Sequence, residues 1–349
     1  MRILVIGGTR FIGPQVVKLL CQDNHEVAVF HRGKTPGDLP KCVKHILGNR
    51  AHLMDFRDTF TSFNPDAVLD MFLSIRQDAM LLMKAIKGIT RRLIVISSQD
   101  VYRAYGVMIG LESASIEPVP LKETAPLRTK LYPYRTSIFK NDDDPMKWLD
   151  NYDKIPVESI TSSNPDIPAT ILRLPMVYGP GDSQHRMFEY LKRMDDGRPC
   201  ILIGESMAGW RWSRGYVVNV AHAIARAIVN PAASNRIYNV AEKKTLTIKE
   251  WVELIGETAG WNGKVIPVPD QILPESMKAH INTRQDLVSD TTRIREELDY
   301  DEPIPIHEAV QRTIEWERLH PPNTYEPSQF DYTQEDQIIN QVSKHKSAD

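Results

Sequence analysis

An unbroken apolar run near the start of the chain, Ile3-Leu4-Val5-Ile6, passes straight into Gly7-Gly8-Thr9-Arg10-Phe11-Ile12-Gly13 and then into an amphipathic stretch around Pro14–Cys21. Four consecutive apolar residues closed off by glycine read as a strand buried on both faces. The glycines give the tight turn, and the helix that follows aims backbone N–H groups and its positive dipole end at an anion. Strand, glycine turn and helix in this order predict a loop that cradles the pyrophosphate of a dinucleotide.

The rest of the first half continues that pattern. Val27–Phe30 is a second strand candidate, Ile46–Leu47 the heart of a short third, and Ala67–Phe72 and Leu93–Ile96 two more. Helical periodicity fills Asp78–Lys87 and Pro145–Ser162, ahead of a sixth strand at Thr170–Leu174. Apolar strands separated by helices predict an α/β fold, a Rossmann-type doubly wound parallel sheet with both faces covered. Beyond Pro175 the pattern loosens around two clear helices, Ile248–Ala259 and Pro305–His320. We therefore expect a dinucleotide-binding domain over residues 1–174, completed by part of 215–245. A smaller C-terminal α/β substrate lobe follows over 175–320, and a polar C-terminal tail, mobile or strapped over the surface, over 321–349.

Composition excludes more than it reveals. The 349 residues are 42% hydrophobic and 25% charged, with a formal charge of −2 and no long basic run. Nothing in that balance favours nucleic acid or an anionic membrane surface. No stretch approaches the roughly 20 apolar residues of a membrane span, and the opening apolar run is too short for a signal peptide. Cys21, Cys42 and Cys200 show no metal-ligand spacing, so buried thiols, a cytoplasmic setting and no metal are expected.

Two arginines bear on the dinucleotide. Arg10 stands where a GxxGxxG loop has its middle glycine, so its side chain must turn aside, towards ribose or phosphate. The second strand ends Phe30-His31-Arg32, about 20 residues on, where NAD-selective loops carry an acid that holds the ribose. No acid is present, and the planar fork of Arg32 suits a 2′-phosphate. Of NAD and NADP, the sequence leans towards NADP.

Several further segments, in order, carry a resemblance. Val95-Ile96-Ser97-Ser98-Gln99-Asp100-Val101-Tyr102 is similar to the strand-end SSxxVY segment of the extended, atypical short-chain dehydrogenases/reductases, the nucleotide-sugar epimerases and dehydratases. Leu172-Arg173-Leu174-Pro175-Met176-Val177-Tyr178-Gly179-Pro180 resembles their RxxxVYGP segment, and Glu123-Thr124-Ala125-Pro126-Leu127 the loop before their catalytic helix. Asn239 and Glu297-Leu298 fit C-terminal landmarks, and the GGTRFIG loop looks like a subgroup that includes the chloroplast stem-loop-binding proteins. The resemblance implies dinucleotide contacts at Gly7, Thr9, Arg10, Phe11, Ile12, Gly13, Arg32, Asn49, Met71, Phe72, Ser97, Lys154 and Pro175. It implies substrate contacts at Met176 and at Arg214, the latter with a nucleotide diphosphate.

The family's chemistry uses a Ser or Thr with a Tyr-x-x-x-Lys pair, and Ser98 fits the hydroxyl position. The pair itself is altered in Asp150-Asn151-Tyr152-Asp153-Lys154-Ile155-Pro156-Val157-Glu158. With Tyr152 as the family tyrosine, the lysine position holds Pro156; with Lys154 as the family lysine, the tyrosine position holds Asp150. Glu158 favours the second alignment. Tyr152 and Lys154, two residues apart, cannot share a face of an ideal helix, although a distorted helix start would swing Tyr152 inward. A surface ladder of Asp150, Lys154 and Glu158 is the structural alternative. Arg128–Asp144 reads as an insertion. The resemblance implies an NAD(P)-dependent epimerase, dehydratase or reductase of a nucleotide sugar. The alternative is a catalytically degenerate dinucleotide-binding protein working through partners or RNA. A homodimer is left open.

Overall fold

The computed structural model describes residues 1–35, 38–135 and 147–346. Its centre is a seven-stranded sheet in the order β10-β6-β5-β4-β1-β2-β3, every neighbouring pair parallel. The strands are β1 (Arg2–Ile6), β2 (Glu26–His31), β3 (Lys44–Leu47), β4 (Ala67–Asp70), β5 (Leu93–Ser98), β6 (Ala169–Leu174) and β10 (Ile237–Asn239). The chain builds outward from β1 through β2 and β3, then returns to β4 on the other side of β1. That reversal leaves a crevice at the carboxyl ends of β1 and β4, the place where open parallel sheets bind ligands.

Alternation along each strand feeds two cores. Ile3 and Val5 face a cluster with Val16, Val17 and Leu20 of α1 (Ile12–Gln22) and the apolar face of α8 (Val217–Val229). Leu4 and Ile6 face the other way, onto α2 (Arg57–Phe63) and α3 (Arg76–Ile86). The first cluster runs on without interruption into the second half of the chain. There β7 (Met176–Tyr178) pairs with β9 (Arg214–Tyr216), and β8 (Cys200–Gly204) with β11 (Lys264–Val268). Helices α6 (Phe188–Asp195), α9 (Ile248–Ala259) and α11 (Ile306–Leu319) pack around them. The segment after residue 320, read from sequence as a polar tail or strap, carries α12 (Tyr332–Lys346); its Ile338 is buried with Cys200 and Leu202, and Glu335 pairs with Arg193.

One expected helix is broken. In place of a continuous helix over Pro145–Ser162, a short 3-10 turn at Lys147–Asn151 precedes α5 (Lys154–Ser162). Pro156 explains the break, because its ring would clash with the Tyr152 carbonyl in any helix running through both. Within the first turn of α5 it is harmless, since that turn has no partner for its N–H anyway. Asp153 caps the helix, accepting from the Ile155 N–H, and is itself fixed by Arg128 and the Tyr132 N–H. The second half of the expected insertion, from residue 136, lies outside the described residues.

Further along α5, Glu158 is buried and accepts two hydrogen bonds from Arg173 of β6, at 3.0 and 2.7 Å, and one from Ser97 at 2.5 Å. Arg173 reaches on to the Tyr102 hydroxyl and the Glu123 carbonyl, and Tyr102 to Asn239. The expectation of a surface charge ladder fails here, because Lys154 and Glu158 both face inward. The cysteine expectation is also corrected: only Cys200 is buried, Cys42 is exposed, and Cys21 lies within hydrogen-bonding reach of Cys42. Removing one partner of a buried ion pair leaves an uncompensated charge. Glu158→Ala is therefore expected to lower unfolding free energy by about 3–5 kcal/mol, read from urea denaturation at neutral pH.

Candidate active site

The glycine turn is built as its sequence requires. Gly7 and Gly8 have φ of +88° and +89°, a region that side chains strain to occupy. A Cβ on Gly13 would overlap the Gly8 backbone, so helix α1 starts in direct contact with the turn. Beyond the turn opens a cavity of about 640 Å³ at the carboxyl ends of β1, β2 and β4. Gly7, Thr9, Arg10, Phe11 and Ile12 form one wall, and Arg32, Asn49, Met71 and Phe72 line the remainder. Gly13 contributes through packing, not by lining.

Cations gather at the end of the cavity under β2. Arg32 and Lys34 are exposed on its rim, and Arg10 is turned aside so that its Nε donates to Thr35 at 3.2 Å. Deeper in, Arg50 is bound in a fork to Asp70 at 2.9 and 2.6 Å, with Asp78 at 3.8 Å. The sequence reading did not single out these three. Their signal was an ionic residue at the end of an apolar strand, Asp70, with a cation, Arg50, just past the strand that precedes it in the chain.

The other half of the site lies at the end of β5. Lys154, the first residue of α5, is 5% exposed, and its Nζ donates to the Leu73 and Ile96 carbonyls at 2.6 and 2.9 Å. Burial pulls its pKa down to about 8, against the opposing pull of Asp100 and Asp70. Tyr152 sits in the break before α5, its ring centroid 5.7 Å from Lys154 Nζ. Its hydroxyl donates to Asp100 Oδ2 at 2.8 Å, and the Ser98 hydroxyl lies near enough to the phenol to pull its pKa down. Burial and the neighbouring Asp100 carboxylate raise the phenol's pKa well above its ordinary value, outweighing Ser98. Trp148 joins the cluster to the cavity, its ring tilted against Phe72 at 5.3 Å and edge-on to Tyr152 at 6.0 Å.

Ser98, Tyr152 and Lys154 are thus brought together, by the distorted helix start and not by helical spacing. Asp150 is not among them: it pairs with Lys147 at 3.3 Å on the preceding turn, which corrects the expectation that it takes the tyrosine position. The Ser97 hydroxyl is committed to Glu158 and faces away from the cavity, a second correction. Pro175 is buried against Gly215, and Met176 opens β7, its N–H donating to the Ser213 carbonyl; neither lines the cavity. Arg214 is 4% exposed, stacked on Trp251 at 4.6 Å beside Glu242. Its Nη1 reaches the Trp212 carbonyl, its Nε has no partner among the described residues, and burial pulls its pKa down to about 10. Asp100, Arg128 and Asp153 were missed as a buried ionic cluster. Asp100 stood in plain view, an acid directly after Ser98 and Gln99 at the end of an apolar strand.

A glycine cradle at the switch point of a doubly wound parallel sheet defines the class of Rossmann-type folds. The model of the NAD dependent epimerase/dehydratase family matches residues 3–134 and 151–241, and the chain belongs to that family. It is 25% identical over 285 residues to 2'-dehydrokanamycin reductase of Streptomyces kanamyceticus, covering 80% of this chain and 72% of that protein. Chloroplast stem-loop binding protein of 41 kDa b of Arabidopsis thaliana is 23% identical over 274 residues, 74% of this chain and 64% of that protein. The fold is also that of UDP-glucuronic acid 4-epimerase from Bacillus cereus, solved with UDP-glucuronic acid and NAD. That match has a TM-score of 0.65 at 16% identity, over 91% of this chain and 99% of the other. No helix among the described residues is long and apolar enough to cross a membrane, and they hold no His/Cys/Asp/Glu cluster suited to a metal ion.

Lys154 makes stability depend on pH with a definite sign. Its pKa is lower folded, at about 8, than in the unfolded chain, so between about 8 and 10.5 the unfolded state binds more protons. The group therefore destabilises the fold below this window, and stability rises with pH through it, by up to about 3 kcal/mol. Denaturation of the parent protein across that range is expected to show this rise, and Lys154→Met to lack it.

Proposed function

We propose that the protein catalyses NADP(H)-dependent hydride transfer at a secondary hydroxyl or keto carbon of a nucleotide sugar, as an epimerase, dehydratase or reductase. The observation that carries this reading is the convergence of the Ser98 hydroxyl, the Tyr152 phenol and the Lys154 ammonium at the carboxyl end of β5, next to the glycine cradle. The cavity fits a dinucleotide, because the positive φ of Gly7 and Gly8 turns the chain tightly and the bare Cα of Gly13 lets α1 start against Gly8 with its N-terminus at the turn. When bound, the nicotinamide supplies or takes up the hydride. Tyr152 exchanges the proton of the reacting oxygen, and Ser98 orients that oxygen and the phenol. Lys154, with a third N–H beyond its two carbonyl bonds, holds the nicotinamide ribose. Two of the similar proteins have names that support this reading, 2'-dehydrokanamycin reductase and the UDP-glucuronic acid 4-epimerase solved with UDP-glucuronic acid and NAD.

Two further residues refine the reading. Arg32, on the rim with Arg10 and Lys34 and no acid nearby on β2, suits the 2′-phosphate of NADP. Arg214 holds a buried cation with an unpaired N–H, which a diphosphate oxygen would satisfy.

By calorimetry, NADP(H) is expected to bind more tightly than NAD(H), and Arg32→Glu to level or invert the order; tighter NAD(H) binding by the parent would refute the preference. Tyr152→Phe is expected to bind dinucleotide as the parent does and to lower turnover of the matching nucleotide sugar by about 10²–10⁴-fold. Lys154→Met is expected to weaken dinucleotide binding by about 1–3 kcal/mol. Tight binding with no turnover on any UDP-, GDP- or dTDP-sugar would overturn the enzyme reading in favour of a binding protein.

A further inference from the structure

The environment of Asp100 is not explained by any role given so far. Its carboxylate is 3% exposed at the end of β5. Oδ2 accepts from the Tyr152 hydroxyl at 2.8 Å and from the Tyr134 hydroxyl at 3.3 Å, while Oδ1 is fully buried with no partner among the described residues. A structural carboxylate at such depth would be expected to have both oxygens satisfied. Its position is firmly held all the same, since Arg128 Nε donates to the Asp100 carbonyl at 2.5 Å and the Ser98 hydroxyl accepts from its N–H. The charged and titratable groups facing it are Arg128 and Asp153 to one side, Lys154 at the start of α5, and the phenols of Tyr105, Tyr134 and Tyr152.

Resting on the reading that Tyr152 handles the substrate proton, we propose that Asp100 is the proton acceptor and donor behind Tyr152, the two acting as a relay. In the oxidising direction, the substrate O–H bond breaks and its proton passes to Tyr152 Oη as the phenolic O–H proton passes to Asp100 Oδ2. The electron pair left on the substrate oxygen becomes the second bond of the carbonyl, and the hydride of the same carbon leaves to the oxidised nicotinamide dinucleotide. Reduction runs the two proton transfers backwards. Asp100 touches neither substrate nor dinucleotide and acts only through the phenol. Its surroundings equip it for this, because burial raises its pKa while Arg128, the Tyr152 hydrogen bond and Lys154 pull the other way. A carboxylate whose pKa is raised by burial takes a proton more readily than one in water.

Two measurements test this, one of which needs no dinucleotide and no substrate. By infrared titration of the carboxyl bands of the cofactor-free protein, the band lost in Asp100→Asn is assigned to Asp100. In Tyr152→Phe, which removes a hydrogen bond to the carboxylate, that band is expected to titrate at higher pH than in the parent. An unchanged titration overturns the relay. If Asp100→Asn fails to fold, the same band is found as the one that moves in Tyr152→Phe, and its absence overturns the relay equally. In turnover, Asp100→Asn is expected to bind dinucleotide as the parent does and to lose about 10²–10⁴-fold in kcat, with the pH dependence flattened. Combined with Tyr152→Phe it should add little further loss, because both changes interrupt one path. Parental kcat and pH profile, or fully multiplicative losses, overturn the relay while leaving the hydride-transfer reading intact. Failure of dinucleotide binding in the parent strikes that reading instead, and the infrared coupling still decides whether the dyad exists.

Discussion

The ion pair between Glu158 and Arg173 is the constraint from which the site's geometry follows. It joins α5 to β6 in the interior, and nearly every hydrogen-bonding position of the two side chains is used: Ser97 of β5 also donates to Glu158, and Arg173 also reaches Tyr102 and the Glu123 carbonyl. Burying two charges is costly unless the geometry is good and the remaining donors are paired, so such a pair tolerates little displacement. Four residues earlier, on the same face of α5, stands Lys154. Fixing Glu158 fixes the rotation of the helix, and that rotation delivers the Lys154 ammonium to the carbonyls of Leu73 and Ile96. An ammonium held between the carboxyl ends of two strand-loop junctions is then poised beside the sheet edge where the glycine turn opens.

The start of α5 has a second anchor of the same kind. Asp153, 1% exposed, caps the helix and is held by Arg128 and the Tyr132 N–H. With residue 153 pinned by its side chain and residue 154 by its ammonium, the direction of residue 152 is nearly determined. The chain leaves the helix, Tyr152 does not follow the helical spiral, and its ring lies alongside Lys154. Two residues that an unbroken helix would place on opposite faces thereby meet.

This accounts for what could and could not be read from the sequence. The parallel sheet and glycine turn were legible because they depend on local chemistry: apolar runs fit a strand covered on both faces, and glycine adopts the φ near +90° of Gly7 and Gly8 without the strain a side chain brings. The cavity wall followed, since the ends of β1, β2 and β4 are forced together by the order of strands. Lys154 was legible from its spacing to Glu158. Tyr152 was legible only as a distortion, although Pro156 carries the physical reason for it. Asp150, read on an intact helix, landed instead beside Lys147. Ser97 was misassigned because strand alternation alone does not say which of two adjacent serines faces the crevice. Asp100 escaped because its partners, Arg128, Tyr134 and Tyr152, come from segments far apart in the chain.

The electrostatic character of the two halves differs for a reason that lies in their exposure. At the dinucleotide end, Arg32 and Lys34 stand in water, where they attract a phosphate at little desolvation cost but bind weakly one by one. Around Tyr152 the charges are buried, and the same Coulomb interactions act in a lower dielectric. A lysine beside a catalytic tyrosine ordinarily favours the phenolate. Here the ammonium gives hydrogen bonds to two carbonyls and sits 5.7 Å from the ring centroid, while a carboxylate oxygen takes the phenolic hydrogen directly at 2.8 Å. Burial, joined by the adjacent anion, holds the phenol's pKa well above its ordinary value, and the phenol stays protonated. A tyrosine so protonated can give up its proton to a developing alkoxide, but to take one it must pass its own elsewhere. In this structure the atom placed to receive it is Asp100 Oδ2.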